Sequence, residues 1–127
     1  MKKYVAAALL SLVAGMAAAD PVEGVWQTEP DDGAFAHVVI EPCGQAFCGK
    51  IARTFRADGE YKSPNLGKTL VIDMVPNGPN AYKGKVWRPS NNKIYLGKIK
   101  LNGDQLKLSG CVAGGLLCSS QTWVRVK

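Results

Sequence analysis

AYKGKVWRPSNNKIYLGKIKLNGDQLKLSGC, residues 81–111, decides the fold. Through 81–88, 93–101 and 104–111, apolar or aromatic residues alternate with lysine and other polar residues, the period of a half-buried strand. Two turn signals separate the runs. Asn102-Gly103 reads as a two-residue type I′ turn, which sets Leu101 opposite Asp104, Ile99 opposite Leu106, Gly97 opposite Leu108 and Lys98 opposite Lys107. Pro89–Asn92 reads as a four-residue loop, which sets Arg88 opposite Lys93 and hence Tyr82 opposite Ile99, Gly84 opposite Gly97, Val86 opposite Tyr95 and Lys83 opposite Lys98. One face is then apolar and aromatic. The other carries a row of Lys83, Lys98 and Lys107, with Lys85 and Lys100 beside it. Like charges facing each other across strands repel mildly, so the row calls for an anionic partner or for solvent.

The same period extends to both sides of this stretch. Short runs rich in Val, Ile, Thr and aromatics predict further strands at 22–28, 34–42, 47–55, 69–75 and 118–126, and no long 3.6-residue period follows residue 20. Eight short antiparallel strands with Gly, Pro and Asn between them are the pattern of an all-β closed barrel. One connection, Arg56 to Lys68, exceeds the usual loop length and is a candidate lid.

Residues 1–19 read as a signal peptide. Lys2 and Lys3 open it, Val5–Met16 is uncharged and mostly apolar, and Ala17-Ala18-Ala19 offers a cleavage site before Asp20. Residues 20–127 are then one domain, too short for two cores. Asp20 is not the cysteine of a lipid-anchored protein, and no later run is long enough for a membrane helix. Lysines at alternate strand positions also break the apolar outer band that a transmembrane barrel needs. Four cysteines, all after residue 20, suit an oxidising compartment, so a periplasmic or secreted location is expected. The formal net charge is +6, of which Lys2 and Lys3 supply two. Residues 20–60 hold eight acids and three bases, whereas 61–127 hold two acids and eleven bases, so the second half is the cationic one.

The cysteines fall beside hairpin turns. Cys43 and Cys48 bracket a four-residue loop and Cys111 and Cys118 a six-residue Gly-rich loop, so local bridges 43–48 and 111–118 are the expected connectivity, each stabilising by about 2 to 2.5 kcal/mol. These spacings do not suit a zinc site, and with one histidine in the chain no metal and no other cofactor is expected. Catalytic motifs are missing too: the chain has no G-x-S-x-G, H-E-x-x-H or P-loop. His37, within the apolar run 35–40, reads as a packed or surface histidine. Asp31-Asp32 reads as part of a turn, Pro30-Asp-Asp-Gly33. Trp87 between Lys85 and Arg88 is the nearest approach to a nucleic-acid platform, and nucleic acid is not an expected partner of an exported protein.

Gly24-Val25-Trp26 resembles the G-x-W signature of lipocalins and related small barrels, in which a basic side chain covers the tryptophan. Arg125 is placed for that role by cation–π stacking. Over the chain after residue 20, the sequence also resembles the bacterial exported family catalogued as domain of unknown function twenty-one forty-seven, through G-V-W-Q-T-E at 24–29, I-E-P-C-G-Q-A-F-C-G-K-I at 40–51, the Trp87–Tyr95 region and the ending G-C through L-C-S-S-Q-T-W-V-R. The resemblance implies a signal peptide and a lipocalin-like barrel, with no catalytic residues to carry over. Ser63-Pro64-Asn65-Leu66 departs from the Asn-Pro segment usual in that family.

The resulting expectation is a non-enzymatic envelope protein that binds a small, partly apolar ligand among Trp26, Tyr82, Gly84, Tyr95 and Gly97. Two alternatives stand beside it. One is a protein-interaction or inhibitor module whose basic face meets an anionic molecule or another envelope protein, and the other is a structural protein of the envelope.

Overall fold

The computed structural model describes residues 19–127; the expected signal segment therefore lies, except for Ala19, outside the described residues. Nine strands form among the described residues, β1 (Gly24–Gln27), β2 (Phe35–Cys43), β3 (Ala46–Arg56), β4 (Gly59–Tyr61), β5 (Thr69–Pro76), β6 (Ala81–Arg88), β7 (Lys93–Asn102), β8 (Gln105–Val112) and β9 (Leu117–Arg125). The pairing order β2-β1-β9-β8-β7-β6-β5-β3 closes through β2–β3, giving an eight-stranded antiparallel barrel with β4 added to the edge of β3. The core packs inside it, with Trp26, Val38, Ile40, Val71, Met74, Ile99, Leu106 and Trp123 all but removed from solvent.

The β6–β7 hairpin has the expected register throughout, from Tyr82 opposite Ile99 to Arg88 opposite Lys93. The β7–β8 hairpin is shifted by two residues. Asn102 pairs with Gln105, so the turn is Gly103-Asp104, and Leu101 faces Leu106, Ile99 faces Leu108 and Gly97 faces Gly110. Gly103 has φ +59° and Asp104 is not among the positive-φ residues, the II′ rather than the I′ pattern. A two-residue slip leaves every side chain on its expected face but changes its partner. The lysine row is altered accordingly: Lys83 faces Lys98, but Lys98 faces Ser109, and Lys107 faces Lys100.

The disulfides join Cys43 to Cys48 and Cys111 to Cys118, as the spacing predicts. Their settings are tighter than expected. Cys43 pairs with Ala46 across the two-residue turn Gly44-Gln45, so that bridge runs diagonally, and Cys111 lies directly opposite Cys118 with the strands continuing to Val112–Leu117. The expected long loop is also partly ordered, because β4 folds back on β3, with Thr54 opposite Tyr61 and Arg56 opposite Gly59.

A bulge interrupts β5. Between Ile72 and Val75 the register with β6 shifts, and Asp73 takes φ +49°. The bulge turns Met74 inward and brings the carbonyl oxygens of Ile72 and Asp73 to 2.6 Å from where a Gly84 Cβ would stand. Only glycine fits that close approach.

Candidate functional site: the open end of the barrel

The two ends of the barrel differ. At one end, residues 19–23 cross beneath the sheet and seal it. Val22 is buried, and the Trp26 indole N–H donates to its carbonyl at 2.9 Å. The Arg125 guanidinium stacks 4.3 Å above the Trp26 ring, donates to the carbonyls of Glu23 and Pro21, and pairs with Asp104 at 3.0 Å. The Tyr82 hydroxyl donates to the Asp20 carboxylate, and Tyr82 meets Phe47 edge to face. Burial, reinforced by the Asp20 contact, pushes the Tyr82 hydroxyl pKa well above its usual range, so it stays a donor.

At the other end a cavity of about 580 Å³ enters the barrel. Its inner wall is apolar, built from Ala36 of β2, Ile51 of β3, Leu70 of β5, Val86 of β6, Tyr95 of β7, Leu108 of β8 and Trp123 of β9. Alternation explains why most of these residues meet, each on the inward period of its strand at the level where the core side chains below stop; Leu70, beside the inward Val71, sits where the register between β3 and β5 shifts. The rim is polar. Thr54 donates its hydroxyl to the Tyr61 carbonyl at 2.6 Å and accepts the Ser63 amide, which fastens the β4 hairpin and the following turn over one side of the mouth. Arg56 stacks 4.6 Å above the Tyr61 ring. Opposite, Arg88 makes two bonds of 3.0 Å to the Asp31 carboxylate, which also accepts from Ser90. These bonds tie the β1–β2 loop to the β6–β7 loop. The Arg88 bond, with help from Ser90, holds the Asp31 pKa below the usual carboxylate range against a smaller desolvation effect, so the latch is ionised at neutral pH.

The cavity also has an open flank. β1 pairs with β9 only at Trp26–Arg125 and Gln27–Val124, and the Glu29 carboxylate takes the Thr122 amide just beyond. From Leu117 to Gln121 the outer edge of β9 has no strand partner among the described residues, and Ser119, Ser120 and Gln121 border the cavity there.

Of the residues singled out from sequence, Tyr95 lines this cavity. Trp26 and Tyr82 lie at the sealed end. Gly84 and Gly97 lie between the two levels, and the space beside them is occupied: the β5 bulge stands against Gly84, and Met74 Cε stands 2.7 Å from where a Gly97 Cβ would be. The expected inner face is therefore present, but it is divided into a packed part and a hollow part. Trp123, Leu108, Thr54 and the Asp31–Arg88 latch were missed. Alternation marks Trp123 and Leu108 as inward, yet nothing local says how far along the barrel each one stands. The grouping of Cys43, Cys48 and Asp73 within 4.8 Å has both sulfurs in a disulfide, so it offers no thiolate to a metal.

Comparison with known proteins gives the fold a context. The family model described as an uncharacterized protein conserved in bacteria (DUF2147) matches residues 24–125. Among solved structures, protein HP1028 from the human pathogen Helicobacter pylori, which is described as belonging to the lipocalin family, superposes with a TM-score of 0.66 at 19% identity, covering 84% of this chain and 83% of that one. At that identity the likeness is one of fold. No curated protein matches the sequence.

Proposed function

From the premise that the chain belongs to the DUF2147 family, whose model spans nearly all of its lipocalin-like barrel, we propose that it is an exported binding protein that holds a small, partly apolar molecule in the open end. The cavity carries this reading. Its volume lies within the few hundred to 1,000 Å³ typical of small-molecule sites, its wall is apolar with Tyr95 and Trp123 as flat faces, and its rim supplies polar groups that would orient a ligand. The occupant is thus an amphiphile with its apolar part inward and a neutral or anionic group at the mouth, near Arg56. Export agrees with the two disulfides and with Asp20, the first residue after the expected cleavage site. Its backbone N–H donates to Glu23 at 2.9 Å and its carboxylate accepts from Tyr82, so a chain beginning there keeps its sealed end. A periplasmic or secreted location is part of the proposal.

Titration of the purified barrel with a panel of fatty acids and small aromatic compounds tests it, with intrinsic tryptophan emission as the readout through Trp123. Saturable binding by the wild type that is lost in Leu108→Trp, which fills the cavity, is the expected result. Binding equally tight in Leu108→Trp, or no saturable binding to any compound, would count against it.

A further inference from the structure

Beside the cavity mouth the surface changes character. The β8–β9 connection carries Leu116, 86% exposed, and Leu117, 66% exposed, while Val112 and Ile94 remain 49% and 61% exposed. Gly115 lies against Leu96 of β7, so the tip folds toward the start of that strand, where Ile94 lies on the same outer face. Single exposed apolar residues are ordinary on a protein surface; a protruding set of four at one end is not.

The ground around this tip is basic. From Ala81 to Lys127 the chain has a single acid, Asp104, which is at the far end and paired with Arg125. Lys85, which faces Leu96, and Lys93 and Lys98, on the strand that carries Ile94 and Leu96, make no salt bridge among the described residues. Lys98 reaches the tip itself, its Nζ 3.4 Å from the Gly115 carbonyl. Lysines facing one another across strands raise the energy of the isolated sheet, and an anionic surface would relieve it.

We infer that this end of the barrel docks on an anionic lipid bilayer, with Leu116, Leu117, Val112 and Ile94 entering the interface and Lys85, Lys93 and Lys98 lying against the head groups. A soluble polyanion would satisfy the lysines but leave the apolar tip in water. A bilayer uses both, in the arrangement by which peripheral proteins bind membranes. Its purpose rests on the binding reading above: the cavity opens at this same end, so a partly apolar occupant passes between barrel and bilayer over a short, partly dry path.

Co-sedimentation with phosphatidylcholine vesicles, with and without phosphatidylglycerol, tests the docking. The wild type should partition onto the anionic vesicles and weaken steeply with salt. Lys85→Gln/Lys93→Gln/Lys98→Gln should lose on the order of a hundredfold in partitioning. Leu116→Asp/Leu117→Asp, at exposed positions that leave the melting temperature unchanged, should lose vesicle binding at low salt while still binding heparin. Vesicle binding by the leucine variant equal to that of wild type would reassign the face to polyanions, and no sedimentation of wild type with anionic vesicles would overturn the docking outright. Titration of the cavity in vesicle-free solution is independent, so loss of one reading does not imply loss of the other.

Discussion

His37 illustrates how a residue's surroundings set its chemistry. It points outward from β2, bonds the Gln27 side chain at 3.0 Å, and rests 4.7 Å from the Phe55 ring, which stacks in turn on Phe35. Desolvation by this packing, and then the nearby Arg53 guanidinium, lower its pKa below the ordinary 6.5, with Glu60 opposing weakly. Its folded form therefore takes up a proton later than its unfolded form as pH falls. Stability is full above the ordinary imidazole pKa, declines as pH drops through it, and levels off once folded His37 is itself protonated. Urea titrations from pH 8 downward should show that decline in the wild type and a shallower one in His37→Asn. Identical slopes would mean that other groups set the dependence.

Among the elements, β5 matters most, because its bulge turns Met74 into the core and presses two carbonyls against Gly84. A methyl group at residue 84 would have to displace backbone rather than a flexible side chain. Gly84→Ala should cost about 1 to 3 kcal/mol in chemical denaturation. Gly110→Ala, whose added carbon would meet Tyr95 and Val86 at an ordinary 3.5 Å, should cost less. Equal losses at the two positions would mean that the bulge yields easily. The β4 hairpin is a contrasting case. Charge and turn residues between Arg56 and Lys68 conceal a three-residue strand whose pairing is completed by the Thr54 hydroxyl, a side-chain contact that no local pattern announces.

Across the whole molecule, the asymmetry between a sealed and a hollow end organises the barrel. Trp26 and Arg125, with residues 19–23, close the sealed end, whereas the open end is held by the Asp31–Arg88 latch and the Thr54 bonds. Binding in the hollow end should add directly to global stability. A ligand at roughly a hundred times its Kd should raise the unfolding free energy by about 2.7 kcal/mol, seen as a higher melting temperature that Leu108→Trp does not share. A melting temperature indifferent to a saturating ligand would mean that the ligand binds native and unfolded chains alike.

The sequence by itself determined the eight barrel strands, their two faces, the β6–β7 register and the local disulfides. Each follows from a period of two, from turn residues that act over a few positions, or from neighbours in a hairpin. Tertiary structure alone decided the rest. The slip at Gly103-Asp104 preserves the alternation and so leaves no trace in it, and the β5 bulge depends on how eight strands close. The depth of the cavity depends on where distant side chains such as Met74 end. That is why Tyr95 lines the cavity, while Trp26, Tyr82, Gly84 and Gly97, on the same face, lie where the barrel is already full.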